Sequence, residues 1–287
     1  MMGFSQGGRE NGRFVGSSKS NLPYSLTPCS ILLALTLASA CKKSEPTAQE
    51  PAQVRVAAAA DLSLAFRDVA MAYEKKTGVK VVFTFGSTGN LAKQIDEGAK
   101  YDLFAAANVS FADQVIASGA CDGATKAPYA RGRIVLWTKD DAKIDPPKSV
   151  ADLADKRFVK IAIANPEHAP YGMAAQQAMT AAGVWETVKP KLVYGENVQQ
   201  TLQFAQTGNV EVAIVALSLA IVVEGGKYTL VEEAQHKPID QALVVCSRGG
   251  NAAGGKDFAS FVSSADGRAI MRKFGFVLPG ESVVKAP

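Results

Sequence analysis

The chain has 287 residues, 47% of them hydrophobic and 20% charged, with 31 Lys plus Arg against 27 Asp plus Glu. That composition excludes wholesale disorder, and a net charge of +4 without a basic cluster interleaved with aromatics does not mark a nucleic-acid binder. Four cysteines and two histidines are too few for a disulfide scaffold or a Cys/His zinc module.

Residues 29–40 form an apolar run of about a dozen residues, too short to span a bilayer comfortably. Arg9, Arg13 and Lys19 precede it, as in the positively charged start of a signal peptide. The run ends Leu37-Ala38-Ser39-Ala40-Cys41, small residues directly before a cysteine. This resembles the lipobox of bacterial lipoproteins, so cleavage is expected before Cys41, whose thiol carries the lipid. A plain secretory signal with an incidental cysteine is the alternative. Lys42 to Gln53 is polar and contains Pro46 and Pro51, as a flexible tether would. Removal of residues 1–40 takes three positive and one negative charge and leaves a net of +2. Cys29 leaves with the signal. Cys121 and Cys246 remain and are expected as two separate buried thiols, with pairing in an oxidising envelope as the alternative.

From Val54 onward strands and helices alternate. Val54–Ala59 reads as a short buried strand, and Leu62, Phe66, Val69 and Tyr73 follow at helical spacing. Asp61 is the candidate N-cap of that helix, with Lys75 and Lys76 in its last turn and Gly78 as its stop. Strands are expected at 79–85, 101–107, 133–138, 160–164, 191–194, 212–216, 228–231 and 241–245. Helices are expected after Asn90 and near 111–118, 171–182, 198–207, 257–264 and 267–274. This order predicts parallel sheets covered by helices. The pattern restarts after Pro146-Pro147, so two lobes with a cleft between them are expected.

Enzymatic constellations are mostly decoys. Gly250 to Lys256 has the spacing of a phosphate-binding loop, but Asp257 stands where a hydroxyl is needed for magnesium. A loop capping the next helix is the expected role. His168 and His236 are far apart in sequence, and His168, in a Pro-flanked loop, is read as structural. A secreted hydrolase or transferase would have to build its nucleophile–base pair on His168.

Four strand-to-helix junctions share small and hydroxyl residues and lack cations: Ala59 to Ser63, Gly86 to Gly89, Pro170 to Gly172, and Glu196 to Val198. Helix N-termini present unpaired N–H groups and a partial positive charge. Several aimed into one cleft make a site for a dehydrated anion without Arg or Lys. Ser87, Thr88 and Tyr171 are candidate hydroxyl donors, and Gly86 and Gly89 would admit close backbone approach.

These junctions also carry a resemblance. Ala57 to Leu62, Phe85 to Ile95, Asp102 to Ala107, Asn165 to Gly172, Glu196 to Val198 and the closing Phe274-Gly275-Phe276 are similar to the periplasmic molybdate-binding proteins of ABC importers, over about residues 54–281. The resemblance implies an α/β, two-lobed type II periplasmic-binding protein fold, each lobe a mostly parallel sheet flanked by helices, with the ligand cleft between lobes. It divides the chain into a lipoprotein signal peptide at 1–40, a flexible tether at 41–53, lobe I at 54–131 and 247–287, and lobe II at 132–246. It implies capture of molybdate or tungstate, no cofactor, no catalysis, and delivery by a monomer to a membrane permease with a cytoplasmic ATPase. The protein would sit in the periplasm or cell envelope, held to the membrane through Cys41. Carried over residue by residue, the ligand contacts fall on Asp61, Ser87 or Thr88, Tyr171 and Val198.

The chain departs from the family pattern twice. Many members have Ser or Asn at the position of Asp61, and many have Tyr where Ala216 stands. Tyr171 then supplies the phenol from the other side. An ionised Asp61 repels a dianion that has only acceptors. Three resolutions are open: Asp61 turns inward as an N-cap and offers its backbone N–H, it holds a proton, or the ligand carries one, as hydrogen phosphate does. The last keeps another oxyanion as an alternative ligand. A ligand-sensing lipoprotein is the alternative role.

Overall fold

The computed structural model describes residues 53–282. The expected signal peptide, Cys41 and the expected tether up to residue 52 lie outside the described residues.

The first half of the fold follows its hydrophobic periodicity. β1 (Gln53–Ala59) is apolar and buried from Val56 to Ala59, as a central parallel strand must be, while Arg55 near its start is exposed. After one 3₁₀ turn, Ala60–Leu62, α1 (Ala65–Thr77) turns Phe66, Val69 and Tyr73 into the core. It ends at Gly78, whose φ of 73° is the left-handed stop that glycine supplies without strain, with Lys75 and Lys76 in the last turn. β2 (Lys80–Gly86), α2 (Thr88–Asp96), β3 (Leu103–Ala106), α3 (Val109–Ala117) and β4 (Ala127–Gly132) follow. The chain then crosses into β5 (Ile134–Lys139), β6 (Ile161–Ala164), α4 (Pro170–Ala181), a single turn α5 (Trp185–Val188), β7 (Leu192–Gly195), α6 (Val198–Gln206), β8 (Val212–Ala216), a short α7 (Leu217–Ala220) and β9 (Gly226–Leu230). β10 (Ile239–Val245), α8 (Ala252–Val262) and α9 (Ala265–Lys273) complete it.

Two five-stranded sheets result, ordered β2-β1-β3-β10-β4 and β7-β6-β8-β5-β9. In each, the three strands nearest one edge run parallel and the remaining two pairings are antiparallel. The expected parallel character therefore holds for the βαβ units and gives way where the chain crosses between lobes.

The expected lobe boundaries need two corrections. Gln53 opens β1 and does not belong to the tether. β10 pairs with β3 and β4, so residues 239–245 lie in the first sheet and not in lobe II. Lobe II thus runs from β5 to β9, with lobe I on both sides of it in sequence. The physical reason is that β10 reads locally like any buried strand, while its sheet is decided by partners more than a hundred residues earlier. β4 was not expected at all, because Pro128 and Gly132 weaken its strand signal. It survives as an edge strand, where a missing N–H is tolerated.

Cys121 and Cys246 form a disulfide, which corrects the expectation of two separate thiols. They face each other as an antiparallel bridge beyond β10, a pairing that sequence spacing does not reveal. The Gly250 to Lys256 stretch was expected as a loop before a helix at 257, but α8 already begins at Ala252, so only Gly250 and Asn251 precede the helix and Asn251 is its cap. The Asn251 side chain accepts from Gly254 N–H, and its backbone N–H donates to the buried Asp102 carboxylate at 2.7 Å.

Candidate functional site

The two parallel halves point their strand C-termini at one another. At each such end the chain turns into a helix, and four of these turns meet. β1 ends at Ala59 and gives Ala60 and Asp61; β2 leads through Ser87 into α2; the loop after β6 leads through Ala169 into α4; β7 leads through Asn197 into α6. Together with Ala107 after β3 they line one small, partly open cavity of about 10 Å³, room for about one water molecule. All five residues expected to touch ligand line it: Asp61, Ser87, Thr88, Tyr171 and Val198. Arg and Lys are missing from its lining. The N-termini of α2, α4 and α6 therefore supply its positive character.

The side chains at the cavity are already bonded to one another across the lobes. Ser87 Oγ donates to the His168 carbonyl at 2.9 Å and lies 2.6 Å from His168 Nδ1. Gly89 N–H donates to the same carbonyl at 2.9 Å. A Cβ on Gly89 would sit 2.8 Å from that oxygen, so glycine is needed for this approach. His168 is thus a clasp between lobes. Gly86 has a different use from the one expected, since its bare Cα faces Leu91. Thr88 Oγ1 accepts from Ala107 N–H at 3.2 Å, which leaves its own proton free to donate.

Asp61 is not a helix cap, which corrects that expectation. α1 starts only at Ala65, and Asp61 sits within the preceding 3₁₀ turn, 1% exposed. Its Oδ2 accepts from the Tyr171 hydroxyl and from Gln241 Nε2, both at 2.8 Å. Gln241 Nε2 also donates to Tyr171 Oη at 3.1 Å, and Ser218 Oγ donates to the Asp61 carbonyl at 2.8 Å. Asp61 Oδ1 and Gln241 Oε1 are buried without a hydrogen-bond partner. Burial outweighs the two hydrogen bonds and raises the Asp61 carboxyl to about 6. Burial, reinforced by the Asp61 charge, holds the phenols of Tyr171 and Tyr129 well above their ordinary value.

Gln241 and Ser218 were missed in the sequence. A glutamine inside the buried strand Ile239–Val245 was the available signal. A bulge in the β4–β10 ladder falls between Gln241 and Ala242, beside Pro128, and such irregularities re-aim side chains near sites. Ala216, where many family members carry Tyr, ends β8, and Ser218 two residues later contacts Asp61 instead. Among the described residues no cluster of His, Cys, Asp and Glu is placed to hold a metal ion.

Two α/β lobes with a small, cation-free cavity at converging helix N-termini define a solute-binding protein of the two-lobed class. The family described as bacterial extracellular solute-binding protein matches residues 54–277, and the chain belongs to it. It is 35% identical over 227 residues to the molybdate-binding protein ModA of Rhodobacter capsulatus, covering 78% of this chain and 88% of that one. It is 29% identical over 251 residues to a putative ABC transporter substrate-binding lipoprotein, YvgL, of Bacillus subtilis, covering 85% and 95%. The solved periplasmic molybdate-binding protein of Azotobacter vinelandii superposes with a TM-score of 0.73 at 28% identity, covering 79% of this chain and 99% of that one. Among the described residues no helix is long and apolar enough to cross a membrane.

Proposed function

We propose that this protein captures molybdate or tungstate between its lobes, without bond chemistry, and delivers it to an ABC permease driven by a cytoplasmic ATPase. The observation that carries this reading is the small cavity shared by the N-termini of α2, α4 and α6 and lacking Arg and Lys. A tetrahedral dianion fits such donors: N–H groups and the Thr88 hydroxyl replace its water, and charge-assisted hydrogen bonds offset its desolvation. The contacts are the turn at Asp61, the α2 start at Ser87 and Thr88, Tyr171, and the α6 start at Val198. The similarity to two molybdate-binding proteins supports the choice of ion. The similarity to a lipoprotein of an ABC transporter supports a lipid at Cys41, a place in the periplasm or cell envelope, and transport over sensing. The protein acts as a monomer.

Phosphate is the second reading, favoured by one observation. The unpartnered Asp61 Oδ1 is an acceptor beside the cavity, and hydrogen phosphate brings a proton to give it. Thermal unfolding in the presence of molybdate, tungstate, sulfate or phosphate separates the two. A ligand at about a thousand times its Kd adds roughly 4 kcal/mol to stability. Molybdate and tungstate alone are expected to raise Tm by several degrees. A rise with phosphate alone replaces the substrate, and no rise with any of the four ends the oxyanion reading.

A further inference from the structure

Tyr171 has one hydroxyl proton, and the structure gives it to Asp61 Oδ2. Its oxygen meanwhile accepts from Gln241 Nε2. In this arrangement the phenol that lines the cavity has no proton for an anion inside it. The carboxylate that takes that proton is itself buried at the cavity wall, with its other oxygen unpartnered.

The groups facing Asp61 do nothing to balance a second negative charge. Tyr171 on α4 and Tyr129 on β4 are both buried neutral phenols. Ser218 on α7 and Gln241 on β10 are uncharged donors. α6 and α7 contain no charged residue. Lys80 stands at the far end of β2, in register with Gln53 while Gly86 is in register with Ala59. Asp240, beside Gln241, pairs with Arg131 at the exposed edge, and His168 is engaged with Ser87. A dianion entering here would lie against an ionised carboxylate with no cation between them.

We propose that Asp61 is a proton-coupled specificity switch: capture of a fully deprotonated oxyanion takes up one proton from solvent onto Asp61, which reverses the Asp61–Tyr171 hydrogen bond and turns the Tyr171 hydroxyl toward the ligand. The proton adds to Oδ2, the new O–H donates to Tyr171 Oη, and the phenolic proton is released to donate into the cavity. One repulsive charge is removed and one donor gained in a single step. The ordinary direction of a buried carboxyl, raised here by desolvation, runs the same way. The switch rests on the oxyanion reading above, and it discriminates by protonation: an anion that brings its own proton would use the carboxylate as it stands.

Titration calorimetry of the full chain with molybdate tests this between pH 6 and 8.5, in buffers of different ionisation enthalpy. The wild type is expected to take up close to one proton near pH 7.5, with affinity falling about tenfold per pH unit above pH 7. Asp61→Asn is expected to bind with no proton uptake and a flat pH profile. Binding by the wild type with no proton uptake and no pH dependence overturns the switch and leaves the oxyanion reading intact. Proton uptake retained in a folded Asp61→Asn also overturns it, since the proton then goes elsewhere. Binding of phosphate alone without proton exchange overturns it by making Asp61 the acceptor of the ligand's proton. No binding of any oxyanion removes the reading and the switch together. The proton count on the wild type decides the question even where the variant folds poorly.

Discussion

A carboxyl raised from 3.8 to about 6 in the folded chain binds its proton more tightly folded than unfolded. Its contribution to stability is fully present below about pH 4 and is lost as pH rises through about 6. The gap corresponds to about 3 kcal/mol that the ligand-free protein forgoes at neutral pH. Asp61→Asn keeps an acceptor for Tyr171 and Gln241 and removes the charge. It is therefore expected to be more stable than wild type by about 3 kcal/mol above pH 7, with the two converging below pH 4, as read by urea unfolding across pH. A second test falls on Gly132 at the crossing from β4 to β5. A Cβ there would overlap the Tyr171 hydroxyl and crowd Gln241 Nε2. Gly132→Ala is expected to cost about 1–3 kcal/mol in chemical denaturation and to weaken oxyanion binding by displacing the phenol.

At the scale of elements, the site depends on how each helix begins. Asn197 caps α6 by accepting from the N–H groups of Gln199 and Gln200, both at 3.0 Å, which orients the first turn beside the cavity. Asn197→Ala is expected to lose about 1 kcal/mol of stability by thermal unfolding and to weaken anion binding, because a frayed first turn no longer aims Val198 N–H. The junctions were legible in the sequence because each is local: Ser87 before Thr88, Pro170 before Tyr171 and Asn197 before Val198 announce helix starts within a few residues. The network behind them was not. Gln241 reaches Asp61 across 180 residues of chain and Ser218 across 157, and no periodicity carries such a pairing. Asp61 itself misled for the same reason, since its local pattern is that of a cap and its actual partners are distant. The interlobe commitment of Ser87 to His168, 81 residues on, was equally hidden.

At the scale of the molecule, the cleft and the disulfide sit at opposite ends of lobe I. β10 runs antiparallel to β3, placing Val245 opposite Leu103 and Ala242 opposite Ala106. The bridge at Cys246 is thus at the β3 entry, while the cavity wall at Ala107 follows the β3 exit. Reducing the bond, or replacing both cysteines with serine, is expected to lower stability by about 2–4 kcal/mol while leaving oxyanion affinity unchanged by calorimetry. The two lobes, their alternation and the cleft were readable from the restart of the βα pattern after Pro147. The membership of β10 was not, because adjacency in a sheet is a property of the assembled chain.

The placement of β10 has a consequence for how the chain is made. Every strand of lobe II lies between Ile134 and Leu230, so that sheet can be completed from one continuous stretch. Lobe I cannot: β3 and β4 stay unjoined until residues 239–245 arrive between them. A chain emerging from its N-terminus therefore begins lobe I first and finishes it last, with two half-built strand edges exposed while lobe II folds. The Cys121–Cys246 bond joins the end of that closing strand to the segment between β3 and β4. It holds the late-arriving strand in the finished sheet.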